Sequence, residues 1–322
     1  MTVDVVLIGR NEGVRLVNSL ASVMPQARRV VYVDSGSSDE SVANAQKAGA
    51  EVVNLDMSVP FTAARARNAG FDALNALGPP ARAVQFLDGD CTMADGWLAK
   101  GLARLQLHED LGLITGQAAE MRRDATVYNQ MFDVEWKRPA GEILACSGNM
   151  MVRTRAFEDV GGFDPTVIAA EDDEFCTRLR KAGWRLERIA QDMARHDANM
   201  TRFSQWWKRA ERTGHGFAQV GHLHPDYFVR ERHRAWVYGA ILPGIAVIGA
   251  IVWTGVPLLV LGVYGMSYAR TAKGLLADGL PRTEALHHAV YLTLSKFPNV
   301  IGMLRYHWRR LTQAQMRIIE YK

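Results

Sequence analysis

Gln85-Phe86-Leu87-Asp88-Gly89-Asp90-Cys91 decides how this chain is read. An apolar run, Ala83, Val84, Phe86 and Leu87, has the pattern of a buried strand and stops at two carboxylates separated by one glycine. Residues i and i+2 of a strand face the same way, and strand carboxyl ends border the crevice where open α/β sheets bind ligands. Asp88 and Asp90 can therefore share one task. Carboxylates aimed at one point repel unless a cation or a set of donors lies between them. Hard divalent metals accept one or two carboxylates and fill their remaining positions with water and substrate phosphates. The plain alternative is a turn, where aspartate and glycine are favoured.

Working outward, residues 3–8 form an apolar strand followed by Gly9-Arg10-Asn11-Glu12, and Val14, Val17, Leu20 and Val23 recur at helical spacing. Residues 29–33 predict a second strand ending in Asp34-Ser35-Gly36-Ser37-Ser38-Asp39. A helix to about residue 48, a short strand at 51–55 and a helix over 62–77 come before the strand that ends at Asp88. Strands alternating with helices imply parallel βαβ units. No Gly-x-Gly-x-x-Gly follows the first strand and no Gly-x-x-x-x-Gly-Lys-Ser/Thr occurs, which counts against dinucleotide and Walker-type sites. A carboxylate at the end of the second strand can accept from a ribose hydroxyl or a base N–H, so Asp34 suits a nucleoside; capping the next helix is the alternative.

Further on, Trp97-Leu98 opens a helix, residues 111–116 read as a strand, and residues 120–142 show no clear period. That last segment, with Phe132 and Trp136, reads as a loop beside the site or as coil covering the core. Four consecutive acids, Glu171-Asp172-Asp173-Glu174, open a helix, where anionic side chains suit the dipole.

Ile8-Gly9-Arg10-Asn11-Glu12, Val33-Asp34-Ser35-Gly36-Ser37-Ser38-Asp39, Ala66-Arg67-Asn68-Ala69-Gly70 and Leu87-Asp88-Gly89-Asp90 resemble, in order and spacing, the signature turns of family 2 glycosyltransferases of GT-A fold. The likeness covers roughly residues 1–200. It implies an α/β fold with a Rossmann-like, mostly parallel sheet flanked by helices. It also implies that Arg10, Glu12 and Asp34 line a nucleoside pocket, with Arg67 near base or ribose. Asp88 would touch ribose and metal, and Asp90 would be the principal ligand of Mg²⁺ or Mn²⁺. Cys146–Arg153 resembles the family's small-residue turn and strand under the donor sugar, with Asn149 meeting a sugar hydroxyl. Glu171-Asp172 followed by Arg178 resembles the acidic catalytic motif, with Asp172 the general base and Glu171 second in line. His196, 24 residues past Asp172, is the expected third metal ligand. Where processive synthases carry Gln-x-x-Arg-Trp, this chain has Gln205-Trp-Trp-Lys208-Arg209, which argues against processive synthesis.

The 322 residues are 48% hydrophobic and 22% charged, ordinary for a folded chain. Three cysteines without metal-ligand spacing suggest a reducing compartment, and no signal peptide is expected at residues 1–10. The net charge of +4 divides unevenly: −3 over residues 1–224, +1 over 225–234 and +6 over 270–322. Between them, residues 235–269 contain no Asp, Glu, Lys or Arg. Basic residues flank this stretch on both sides and Thr254-Gly255-Val256-Pro257 interrupts it. A hairpin of two short spans or a re-entrant loop is expected, with both ends cytoplasmic; a buried soluble hairpin is the alternative. Basic amphipathic helices with tryptophan follow, suited to an anionic leaflet or to a second copy of the chain.

The expectation is thus a catalytic domain over 1–224 and a membrane-associated helical region over 225–322, with the hairpin at about 235–269 and the basic helices at about 281–322. The resemblance implies an inverting, metal-dependent transfer from a UDP- or GDP-linked sugar. Location at the inner or plasma membrane, catalytic domain cytoplasmic, suggests a lipid-linked saccharide acceptor in surface polysaccharide synthesis. Two rivals are a nucleotidyltransferase, for which Gly9–Gly13 is too acidic, and a non-catalytic scaffold, against which the intact Asp88, Asp90 and Asp172 argue. Nucleic acid is not an expected partner, because the basic excess lies beside a hydrophobic stretch.

Overall fold

In the computed structural model, which describes residues 3–320, the first strand β1 (Val3–Gly9) is buried nearly throughout and pairs in parallel with β2 (Val30–Asp34) on one side and β4 (Ala83–Asp88) on the other. Helix α1 (Val14–Val23) and helix α2 (Ser41–Ala48) flank β2, and the short β3 (Glu51–Asn54) closes that edge in parallel. Register sets Gly9 opposite Asp34 and Ile8 opposite Asp88, so the strands end level with one another. Helix α3 (Ala63–Ala76) crosses back to β4, its start capped by Thr62, whose hydroxyl accepts from Arg65 N–H at 3.1 Å.

After β4 come β5 (Cys91–Met93), α4 (Trp97–Leu107), β6 (Leu111–Glu120), α5 (Val127–Trp136), β7 (Gly141–Glu142), β8 (Met150–Arg153), α6 (Thr154–Asp159), α7 (Glu171–Lys181) and β9 (Arg185–His196). The sheet runs β3-β2-β1-β4-β8-β6-β9-β5, with β7 on β9. Past β4 the joins β4–β8, β6–β8, β5–β9 and β7–β9 are antiparallel and β6–β9 is parallel. Apolar side chains cover both faces. On one, Leu16, Leu20, Trp97 and Leu98 pack beneath α1 and α4, and the Trp97 indole N–H donates to the Gln85 side chain at 2.7 Å. On the other, Phe71, Phe86, Phe157, Phe163 and Phe175 form a ring cluster with centroids 4.3–5.8 Å apart. Such pairs contribute about 0.5–1.5 kcal/mol each beyond area burial.

Two segments depart from expectation. The strand predicted at 111–116 continues to Glu120, and β9 was not predicted. Within 120–142, read as loop or coil, residues 127–136 form helix α5.

The chain divides into two compact units, the first ending at Asn199 apart from residues 124–131. The second holds those residues and everything from Met200 onward, so the boundary falls before α8 (Phe203–Leu223) instead of after residue 224. The reason is local. Helix α13 (Lys296–Leu311) lies against α8 so closely that a Cβ on Gly302 would sit 1.9 Å from the Glu211 carbonyl oxygen, and one on Gly214 2.0 Å from the Asn299 carbonyl oxygen. Between these helices, α9 (Val229–Trp236), a π turn (Val237–Ile241) and α10 (Leu242–Val252) run on as one helix. A break at residues 253–255 leads to α11 (Val256–Ala277), and α12 (Arg282–Leu294) follows. Among the described residues, Val229–Val252 is the helix long and apolar enough to cross a bilayer. Its side chains face outward: Val247, Ile248, Ile251 and Val252 are all exposed.

Candidate active site

At the β1–β2 end, two loops are stitched into one ribbon. Asn11 N–H donates to Ser37 Oγ at 2.9 Å, Asn11 Oδ1 accepts from Ser38 N–H at 2.8 Å, and Asp39 Oδ2 accepts from Gly13 N–H at 3.1 Å. Asn11 adopts φ 55°, a left-handed conformation that asparagine tolerates through its short polar side chain. Buried Asp34 accepts from the backbone of Gly36 (2.9 Å) and Ser37 (2.8 Å) and from the Tyr32 hydroxyl (3.1 Å). Burial first, then the Asp34 charge, pushes the Tyr32 phenol well above its ordinary pKa and keeps it a donor. Glu12 pairs with Arg15 at 2.7 Å, and half-buried Arg10 lies in the same loop.

The Asp88-Gly89-Asp90 turn is pinned from behind. Gly89 N–H donates to the Ile8 carbonyl at 2.8 Å, and a Cβ at Gly89 would approach that oxygen to 3.2 Å. Asn149, buried, accepts from Asp88 N–H at 2.9 Å and donates to Cys91 Sγ at 3.2 Å; the thiol in turn lies 3.5 Å from Asp90 Oδ1. Strand register sets Cys91 opposite His196 on one side of β9 and Glu120 opposite His196 on the other. His196 Nε2 stands 3.5 Å from Asp90 Oδ2, and Nδ1 stands 2.9 Å from Glu120 Oε2. Single donor atoms of Asp90, Cys91 and His196 lie within 4.8 Å of one another. Phe132 and Trp136 of α5 pack on the imidazole at ring distances of 5.5 and 5.2 Å.

Arg67 joins this turn to the acidic helix. Its guanidinium, 2% exposed, donates to Asp88 Oδ1 at 3.0 Å and to Glu171 Oε1 at 2.8 Å. Burial works against the Arg67 charge, but Asp88 and Glu171 outweigh it and hold the group protonated. Room exists only because residue 148 is glycine: a Cβ there would lie 1.9 Å from the guanidinium. Next to Glu171, Asp172 has its pKa raised well above the ordinary carboxylate value, by burial first and then by the Glu171 and Asp173 charges, with Arg67 opposing. Ala170, at the start of α7, sits at φ 58°, a conformation costly for alanine. Arg178 grips Glu174 with two 2.7 Å bonds and donates to the Val160 and Gly162 carbonyls, anchoring the helix.

Of the residues singled out from sequence, Asp90 and His196 come together, and Asp88 meets Glu171 through Arg67. Arg10, Glu12 and Asp34 gather at the β1–β2 end. Arg67 bridges two acids, and Asn149 is turned inward as a support for the turn, both amide atoms engaged. Glu120 was missed, though an acid closing an apolar strand is the same signal that drew attention to Asp88. Nothing in the sequence pairs Phe132 and Trp136 with His196.

Known proteins align with this arrangement. The profile of "Glycosyl transferase family 2" matches residues 4–161, and that of "Glycosyl transferase family group 2" matches residues 85–297. Pre-mycofactocin glycosyltransferase of Mycobacterium tuberculosis is 30% identical over 229 residues, 66% of this chain and 45% of its own length, so this chain spans less than half of that relative. Glycosyltransferase AglE of Haloferax volcanii is 26% identical over 234 residues, 68% of this chain and 73% of its own. Among solved structures, mannosyltransferase PcManGT from Pyrobaculum calidifontis, in complex with GDP-Man and Mn²⁺, has a TM-score of 0.60 at 20% identity, covering 96% of this chain and 88% of that one. The last likeness is one of fold.

Proposed function

The chain belongs to the family 2 glycosyltransferases, and from that premise we propose that it moves a sugar from a UDP- or GDP-linked donor to a hydroxyl of a lipid-linked saccharide, inverting the anomeric carbon. The observation that carries the reading is Arg67, which ties the Asp88–Asp90 turn to the Glu171–Asp172 helix in one buried ion-pair network. Complexes of the similar mannosyltransferase with GDP-Man and Mn²⁺ support a nucleotide-sugar donor.

The Asp90 carboxylate and the His196 imidazole, with the Cys91 thiol beside them, lie close enough together to hold one ion, and with Asp88 of the same turn they would make a donor set that fits Mn²⁺ or Mg²⁺. When bound, the ion would neutralise charge on the leaving nucleoside diphosphate. Asp34 and the stitched loops hold the nucleoside. Asp172 accepts the proton of the acceptor hydroxyl as that oxygen bonds to the anomeric carbon, and the electron pair of the breaking C–O bond departs with the diphosphate. Attack opposite the leaving group inverts the sugar. A carboxylate whose pKa is raised by burial and by neighbouring charge is a stronger base for a hydroxyl than an ordinary one.

Outward-facing apolar side chains on Val229–Val252 and α11 support insertion into a bilayer. Arg230, Arg232 and Arg234 before them, and Arg270 and Lys273 after, favour a cytoplasmic location for both ends at the inner or plasma membrane. A membrane-held enzyme meets lipid-linked acceptors most readily.

The test is hydrolysis of a panel of nucleotide-sugars by detergent-purified protein, with and without Mg²⁺ or Mn²⁺, set against Asp90→Ala. Metal-dependent release of one nucleoside diphosphate, lost in the variant, is expected. Absence of both turnover and nucleotide binding by calorimetry would overturn the reading.

A further inference from the structure

Glu120 is the last residue of β6, and its carboxylate is fully enclosed. Two donors converge on it. Ala198 N–H donates to Oε1 at 3.1 Å and lies 3.3 Å from Oε2, and Oε2 stands 2.9 Å from His196 Nδ1. An ionised carboxylate only accepts, so facing it Nδ1 must carry the proton. A neutral imidazole holds one proton, which leaves the lone pair on Nε2, 3.5 Å from Asp90 Oδ2. Phe132 and Trp136, packed on the ring, limit its rotation.

We infer that Glu120 is a positioning residue of the metal centre, fixing the neutral Nδ1–H tautomer of His196 so that the Nε2 lone pair faces the ion held by Asp90. This rests on the reading of Asp90 and His196 as ligands. Outer carboxylates of this kind orient ligating histidines and raise their basicity. Glutamine keeps the shape of Glu120 but not its function. Its one oxygen can serve either Ala198 N–H or His196 Nδ1–H, and its NH₂ must then face the other. Where the NH₂ meets Nδ1, the ring proton moves to Nε2 and points at Asp90.

Two measurements test this. The first is two-bond ¹H–¹⁵N NMR of metal-free wild-type protein labelled at histidine, with the His196 signal assigned by its loss in His196→Ala. A proton on Nδ1, facing Glu120, is expected; a bare Nδ1 with the proton on Nε2 alone overturns the inference without any Glu120 variant having to fold. The second is titration with Mn²⁺ alone, free Mn²⁺ being read by electron paramagnetic resonance. Glu120→Gln should weaken binding about 10–100-fold. If Asp90→Ala abolishes Mn²⁺ binding while Glu120→Gln leaves it unchanged, the inference fails and the ligand reading stands. If Asp90→Ala also changes nothing, both fail.

Discussion

The strand ends around Asp88 and the helices from Val229 to Ala277 break opposite halves of the same rule. At the strand ends charges are buried: Arg67 lies inside the protein between Asp88 and Glu171, and Asp4, at the far end of β1, is enclosed by Arg28 and Arg29. In the helices apolar groups are exposed, with Ile251 at 84% and Val252 at 85%. A water-soluble surface carries single exposed apolar residues without comment; a buried charge network or a continuous apolar face is the informative departure. The two have different causes. Burial strengthens every interaction among charges but demands that each be matched, which suits groups that must hold a fixed geometry. Continuous exposed apolar surface is stable when its solvent is hydrocarbon. On the proposed reading one region serves chemistry and the other a medium, and each can be broken separately.

The largest effect should come from Asp172→Asn, which removes the proposed base and leaves the packing of α7 in place. Turnover should fall by about 10²–10⁴-fold, with nucleotide binding by calorimetry unchanged. Stability should move the other way. In the folded chain the Asp172 pKa is raised, so the stabilising contribution of its protonated form is present below the unfolded carboxylate pKa and is lost as pH rises through the raised value. The asparagine variant never ionises. It should melt higher than wild type at neutral pH, with the gap closing as the pH falls into the carboxylate range. Equal melting curves at every pH, together with retained turnover, would remove Asp172 from the role.

Next in size is Arg67→Met. Deleting one partner of a buried pair leaves the others uncompensated and is expected to destabilise by about 3–5 kcal/mol. Here the cost falls mainly on Glu171, because the Asp88 side chain is 37% exposed and can turn to water. Adding Glu171→Gln to Arg67→Met should recover part of the loss in a thermal melt. If Arg67→Met alone melts like wild type, the network is decoration and the two acidic sites are independent.

Much of this is legible in the sequence, and the reasons differ between elements. β1, β2 and β4 are buried on both faces, so each reads as a mainly apolar run, broken only by Asp4 in β1 and Gln85 in β4, and β2 and β4 announce their ends by abrupt carboxylates. The C-terminal hairpin was legible because thirty-five residues without a charge admit few readings. What stayed hidden was pairing across strands. Glu120 and His196 are 76 residues apart and meet only because β6 and β9 share a register. Helix α5 carries a helical signal that the sequence reading passed over, since Tyr128, Phe132 and Trp136 recur four residues apart. Arg67 was visible as part of a motif, yet its place between two acids depends on the absence of a side chain at Gly148, a fact about space that no local pattern carries.

The smallest effect tests the other region. Ile248 and Ile251 lie on the exposed part of α10, 67% and 84% open. An arginine near the centre of a membrane helix costs about 2.5–3.5 kcal/mol on insertion scales, and less where it can reach the headgroups. Wild-type protein in vesicles of zwitterionic and anionic lipid should stay with the membrane through a wash in about 1 M salt, where the Debye length has shrunk to about 3 Å, and leave only in detergent. Ile251→Arg should shift a measurable fraction into the soluble phase, and Ile248→Arg with Ile251→Arg should shift more, while nucleotide binding by the catalytic unit stays intact. Release of the wild type by salt alone would mean that the basic residues of the tail, and not its apolar helices, hold it to lipid. The contrast between a region built for chemistry and one built for a medium would then reduce to two arrangements of charge.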